Sequence, residues 1–271
     1  MGPNPADEHT FTLGSTGPVH YRTAPAADPD VRPLYLHGIP TSSDDWIPFL
    51  ELTGGIAPDL IGFGSSSKGG HLDYSLDGLA TFVEELLDHF GIRRVSVVAH
   101  QWGAAVGAVL AARRPDLVAR MTVLQPLPLI DGFAWPAIVR WWRRPIVGEL
   151  LMGATTKGTL ARSLRRGAIS PGAWTKPRIA AVWEQFDQGT QRAVLRLHRG
   201  TPESSLEPVL ASVRVPVHIV WGNRDPWLGP ELADVYAAGL ADATVERSDA
   251  GHWPWLDRPD LVERVAALAV R

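Results

Sequence analysis

Cysteine is absent from all 271 residues. That excludes disulfides, thiolate metal sites and a thiol nucleophile. A large charge imbalance is missing too: the formal net charge of −3 gives no footprint for nucleic acid. No apolar run is long enough to span a bilayer. No basic-plus-apolar leader opens the chain, and Met1 to Asp7 is Gly/Pro/polar and reads as a loose end. Nor do the nine histidines fall at paired metal-ligand spacings. The expectation from these absences is a cytoplasmic protein with no metal, no cofactor and no nucleic-acid or membrane partner. It would act on a small molecule, as a monomer or homodimer.

What is present fits a globular α/β protein. A hydrophobic content of 45% against 20% charged residues supports a sizeable core, either one large domain or a core with an inserted lid. Tryptophan is abundant, with eleven in the chain. Five of these, Trp135, Trp141, Trp142, Trp174 and Trp183, crowd one central segment.

Taken in order, Thr10–Leu13 and Val19–Arg22 read as a hairpin around Gly14-Ser-Thr-Gly-Pro18. After a proline-rich linker, Pro25 to Asp30, comes a buried strand, Pro33-Leu-Tyr-Leu-His-Gly38. Asp59, Gly62 and Gly64 read as turn residues. An amphipathic helix then runs to Phe90, capped by Ser75 or Asp77 and ended by Gly91. Val95–Val98 is a short β-branched run and reads as a buried strand. It passes through Ala99-His-Gln-Trp-Gly103 into an alanine-rich helix that continues to Arg113. Arg120 to Gln125 is another buried strand.

From Leu127 to about Leu206 the strand rhythm stops. Helices are expected over Pro136–Met152, Thr159–Arg166 and Lys176–His198. Strand resumes at Val215–Gly222, with Asn223-Arg-Asp-Pro226 directly after it. A helix (Pro230–Leu240), a strand (Thr244–Arg247) and Ser248-Asp-Ala-Gly-His252 follow, and Pro259–Val270 is the closing helix. Strand-then-helix units with short connections imply a mostly parallel sheet covered on both faces.

The small-x-X-x-small pentapeptide at 99–103, the His37-Gly-x-Pro40 loop, Trp221-Gly-x-x-Asp-Pro226 and Ala250-Gly-His-Trp-Pro254 occur together in this chain. The set resembles the α/β-hydrolase fold, and Gln101-Trp102 looks most like the Asp-Trp of haloalkane dehalogenases and epoxide hydrolases. The resemblance implies a core of residues 1–126 and 207–271 with a helical cap over 127–206. It implies a catalytic trio of Gln101, Asp225 and His252, and an oxyanion hole from the backbone N–H groups of Ile39 and Trp102. Trp102 would also offer its indole N–H. Gln125 stands where some dehalogenases carry an accessory acid. Gln125, Trp135, Trp141, Trp142 and Trp183 are the expected substrate-binding residues. His37 and His100 would support loops, and His20, His71, His89, His198 and His218 take structural or solvated roles.

The departure is chemical. A carboxamide has essentially no nucleophilic oxygen at neutral pH, so Gln101 is unable to act as an Asp or Ser would. A His252–Asp225 dyad with a backbone oxyanion hole still suits proton transfer: elimination, cyclisation, decarboxylation or non-covalent hydrolysis of a small apolar carbonyl compound. Two readings compete with this one. The chain could be an ordinary hydrolase captured with Gln in place of its nucleophile, or a non-catalytic protein using the pocket as a receptor.

Overall fold

The computed structural model describes residues 6–26, 28 and 30–270. The loose end expected at Met1–Asp7 lies mostly outside these residues, as do Ala27 and Pro29 of the expected linker. The chain opens with a hairpin of β1 (Asp7–Leu13) and β2 (Gly17–Ala24), in which Leu13 faces Gly17. Next come β3 (Arg32–Leu36), α1 (Ile47–Thr53) and β4 (Gly55–Pro58). The alternating and periodic patterns of the sequence left the last two elements unassigned.

α2 (Leu76–His89) is capped by Ser75, whose side-chain oxygen accepts the N–H of Gly78 at 3.0 Å. Leu79, Phe82, Val83, Leu86 and Leu87 form its buried stripe. Then β5 (Val95–His100) leads into α3 (Trp102–Arg113), and β6 (Val118–Leu124) comes after it. Every residue of β5 is buried. Burying each of Val95, Val97 and Val98 contributes roughly 1.5–3 kcal/mol, so this strand is a firmly anchored platform for the turn at its C-terminal end.

Between β6 and β7 the chain is helical: α4 (Ala137–Trp142), α5 (Val147–Gly153), α6 (Lys157–Arg166), α7 (Lys176–Gln185), α8 (Gln188–Gly200) and the short α9 (Glu207–Leu210). Two of the expected helices are broken in two. Pro145 lacks the N–H that a continuous 136–152 helix needs, and Ile146 turns the chain at φ 68°. Over 176–198 the break falls at Phe186, after which Asp187 starts a new helix by accepting the Thr190 N–H at 2.9 Å.

The remainder is β7 (Val217–Gly222), α10 (Leu232–Ala238), β8 (Ala243–Ser248), α11 (Pro254–Asp257) and α12 (Asp260–Ala269). The eight strands lie in the order β1-β2-β4-β3-β5-β6-β7-β8. β2 runs antiparallel to β1 and β4, and every later pairing is parallel. The C-terminal ends of β3, β5, β6 and β7 therefore open on one edge of the sheet, where parallel sheets place their sites.

Candidate active site

The turn after β5 is forced. Gln101 sits at φ 48°, ψ −110°, which a non-glycine residue rarely adopts, and surrounding structure must hold it there. Gly103 makes this possible: a Cβ on it would lie 2.2 Å from the carbonyl oxygen of Leu36, inside β3. The close approach of α3 to β3 lifts the Gln101 side chain above the sheet edge.

There the side chain meets the loop after β3. The backbone N–H of Ile39 donates to Gln101 Oε1 at 2.9 Å. Because an amide N–H only donates, this bond fixes which way the carboxamide faces: oxygen to Ile39, NH₂ away from it. The loop itself is braced by His37. Its Nδ1–H donates to the Gly38 carbonyl at 2.7 Å, and its Nε2 accepts the Leu60 N–H at 2.9 Å. Both ring nitrogens are thus committed to the neutral form, in agreement with burial lowering its pKa.

Asp225 lies just past β7, and His252 just past β8. His252 Nδ1 lies 2.6 Å from Asp225 Oδ2, with both side chains buried. The other carboxylate oxygen of Asp225 accepts the N–H groups of Trp227 at 2.8 Å and Leu228 at 3.3 Å. A carboxylate so engaged stays an acceptor, which places the shared proton on His252 Nδ1 and leaves Nε2 free for chemistry. The ring is boxed edge-on by Trp253 at 4.7 Å and Trp227 at 4.9 Å.

The His252 backbone is held as well. Its N–H donates to Gly167 in the helical segment at 2.6 Å, and its carbonyl accepts His100 Nε2–H at 2.9 Å. Burial and the neighbouring His252 lower the His100 pKa well below the ordinary histidine value. Asp257 adds a second clamp. Its Oδ2 accepts the Gly251 N–H at 2.8 Å, while Oδ1 accepts those of Ile169 at 3.0 Å and Ser170 at 2.7 Å. One carboxylate thus ties the loop that carries His252 to the segment between α6 and α7.

Gln101, Ile39, Trp102 and His252 all line one cavity of about 430 Å³. Among the described residues no Asp or Glu lines it, so His252 and His198 are its only titratable side chains. Of the five expected substrate-binding residues, Trp135 and Trp142 line it, while Gln125, Trp141 and Trp183 lie off its walls. Gln125 is fully buried below the site, its Oε1 taken by the Gly222 N–H at 2.7 Å. Trp141 turns outward with the Arg144 guanidinium 4.5 Å above its ring. Trp183 packs on Phe186.

His198 is the residue that sequence reading missed. Its Nδ1 bonds the Val194 carbonyl at 2.8 Å, and burial, aided by Arg143, pushes its pKa down to about 4. It is therefore neutral at neutral pH. Its ring sits edge-on to Trp102 at 5.1 Å and to Trp135 at 5.3 Å. Trp102 is stacked on Trp135 at 5.9 Å, and both indole N–H groups are buried without a partner among the described residues. Among the described residues, no group of three or more His, Asp or Glu side chains could hold a metal ion.

A family model described as the alpha/beta hydrolase fold matches residues 34–259. A haloalkane dehalogenase of Mesorhizobium japonicum is 31% identical over 273 residues, 91% of this chain and 86% of its own. The mesoderm-specific transcript protein of Mus musculus is 30% identical over 260 residues, 83% of this chain and 74% of its own. The crystal structure of the haloalkane dehalogenase DbeA from Bradyrhizobium elkani superposes with a TM-score of 0.80 at 27% identity, covering 97% of both chains.

Proposed function

The chain belongs to the α/β-hydrolase fold family, and we propose that it is an enzyme of that family driven by His252 as general base, without a covalent intermediate. The observation that carries this reading is the state of the elbow. Gln101 Oε1 is bound to Ile39 N–H, and among the described residues the cavity is lined by His252, which is paired to the buried Asp225 behind it, and by no carboxylate. A neutral amide is no nucleophile, whereas an oriented imidazole base contributes on the order of 10²–10⁴-fold.

In this scheme His252 Nε2 takes a proton from the substrate, or from a water attacking it, and the imidazolium is stabilised by Asp225. The Gln101 NH₂ donates a hydrogen bond to a substrate carbonyl or leaving oxygen. The Trp102 N–H, in the first turn of α3 where no intrahelical acceptor exists, is a further donor. Elimination, cyclisation, decarboxylation and direct water attack share this demand. The mostly apolar walls favour a small apolar substrate bearing a carbonyl.

The test compares the wild type, His252→Ala and Gln101→Ala across esters, epoxides, haloalkanes and β-keto compounds, with intact-protein mass spectrometry. His252→Ala should lose about 10²–10⁴-fold in kcat, with no mass adduct on any form. A substrate-derived adduct on the wild type, or full activity in His252→Ala, would sink the proposal.

The dehalogenase relatives favour one other reading, an ordinary hydrolase carrying Gln101 in place of its nucleophile. Gln101→Asp would then gain turnover of haloalkanes through an alkyl-enzyme ester. Tight ligand binding with no turnover in any form would instead point to a receptor.

A further inference from the structure

We propose that the α4–α5 face of the helical segment is a docking surface for an anionic lipid bilayer, set at the lip of the cavity. Apolar exposure is concentrated there. Of the eight large hydrophobic side chains exposed among the described residues, five lie within residues 138–151: Ile138, Trp141, Ile146, Leu150 and Leu151. Scattered single exposures need no explanation, but a cluster on two packed helices does.

Ile146 is the most extreme, 73% exposed and held at φ 68°. A β-branched residue in that conformation is strained, so the surrounding structure must impose a geometry that leaves this apolar side chain out in solvent. Leu150, 69% exposed, lies one helical turn further along.

The charge around this patch is one-sided. Residues 137–153, which span α4 and α5, carry three arginines, Arg140, Arg143 and Arg144, against one acid, Glu149, in a chain whose net charge is −3. Glu149 is itself neutralised by Arg199, 2.5 Å away. Arg140 and Arg144 are exposed within the apolar cluster, and Arg144 lies over the exposed Trp141 ring. Aliphatic side chains, a tryptophan and arginines on one surface are the makeup of an interfacial element. Its apolar residues enter the acyl boundary while its cations meet anionic headgroups.

The same charge disfavours a second copy as the occupant. A two-fold dimer would press this basic face against itself, and like charges would oppose it. The patch is also continuous with the cavity, since Ile138 and Leu151 are both exposed and lining. An apolar molecule dissolved in the bilayer would then reach Gln101 and His252 without crossing water. That route rests on the cavity being the active site; the docking does not. No helix among the described residues is long and apolar enough to cross a membrane, so the contact is peripheral.

The experiment is flotation of the full chain with phosphatidylcholine vesicles and with equimolar phosphatidylcholine–phosphatidylglycerol vesicles, at low and high salt. Binding is expected only with the anionic vesicles and should weaken with salt. Leu150→Ser and the double variant Arg140→Gln/Arg144→Gln should each weaken it about ten-fold. Val235→Ser, at an exposed apolar site on α10, should leave it unchanged. These positions are exposed, so circular dichroism should report intact folds. Equal binding to both vesicle types, binding indifferent to the variants, or none at low salt would overturn the proposal. So would a dimer by sedimentation equilibrium that Leu150→Ser dissociates. None of these readouts depends on turnover, so a wrong assignment of the reaction leaves the test intact.

Discussion

The side-chain oxygen of Gln101 occupies the N–H of Ile39 at 2.9 Å, the backbone donor that the sequence resemblance assigns to an oxyanion hole. One half of the carboxamide is thereby used up, and only its NH₂ remains to meet a ligand. The residue is a fixed donor at the turn after β5.

Gln101→Glu tests that geometry directly. The change is isosteric, so one carboxylate oxygen should stay on Ile39 and the other should replace the NH₂. In a His252→Ala background, which blocks hydrolysis of an ester, incubation with a 1-bromoalkane should add one alkyl mass to Gln101→Glu. The Gln101 form should gain none. An adduct on both forms would place the nucleophile elsewhere, and an adduct on neither would mean that the elbow no longer aims at carbon.

The parts of this site that were legible in sequence are those whose geometry is local. Ala99 to Gly103, the His37–Pro40 loop and the contexts of Asp225 and His252 each fix a turn at a strand end, and the parallel sheet brings those ends together. What was not legible depends on how helices settle over the sheet. Trp142 faces the cavity while Trp141, one residue before it, faces solvent, a choice made by where α4 ends and Pro145 breaks the chain. His198 looked like any helical histidine, and only the placement of α8 over Trp102 brings it into the site. β4 is four residues long and contains proline, so no period announced it.

Asp257 carries a second expectation. Its carboxylate satisfies three backbone N–H groups from two distant segments. Asp257→Ala leaves those donors without their acceptor, at about 1–3 kcal/mol for each that water does not reach. The variant should melt several degrees lower and lose kcat more than KM, because the Gly251–His252 backbone loses its anchor. Asp257→Asn retains one acceptor oxygen and should recover part of both. Unchanged kcat in Asp257→Ala would mean that Gly167 and His100 position His252 unaided.

Acid should destabilise the fold before it touches most carboxylates. His37, His100 and His198 are buried with lowered pKa values, chiefly by desolvation, His198 to about 4. Below about pH 6.5 the unfolded chain takes up a proton at each, while the folded chain does not. Stability therefore falls as pH drops through that value, by up to about 1.4 kcal/mol per unit for each histidine. Asp45 works the other way. Burial raises its carboxyl to about 7, so the folded chain keeps a proton that the unfolded chain has released, offsetting one histidine. Urea midpoints measured from about pH 8 down to about pH 5 should show this decline, and His198→Leu should flatten it. A flat profile would show that these imidazoles protonate freely in the fold.

Two glycines separate folding from function at the elbow. A methyl on Gly103 would lie 2.2 Å from the Leu36 carbonyl oxygen, in the backbone of a central strand that has nowhere to go. Gly103→Ala should therefore reduce stability by several kcal/mol or prevent folding, as overpacking against rigid backbone does. A methyl on Gly38 would instead meet side-chain atoms, His100 Nδ1 at 2.6 Å and Gln101 Oε1 at 2.9 Å. The Gln101 side chain is able to swing away, giving up its bond to Ile39. Gly38→Ala should thus fold, with a melting temperature lowered by a few degrees, and lose activity out of proportion to that shift. Combining it with Gln101→Ala should show strong non-additivity, because the second change removes the atom the methyl displaces. Additive effects of the two substitutions would mean that Gly38 acts on the site through His100 rather than through Gln101.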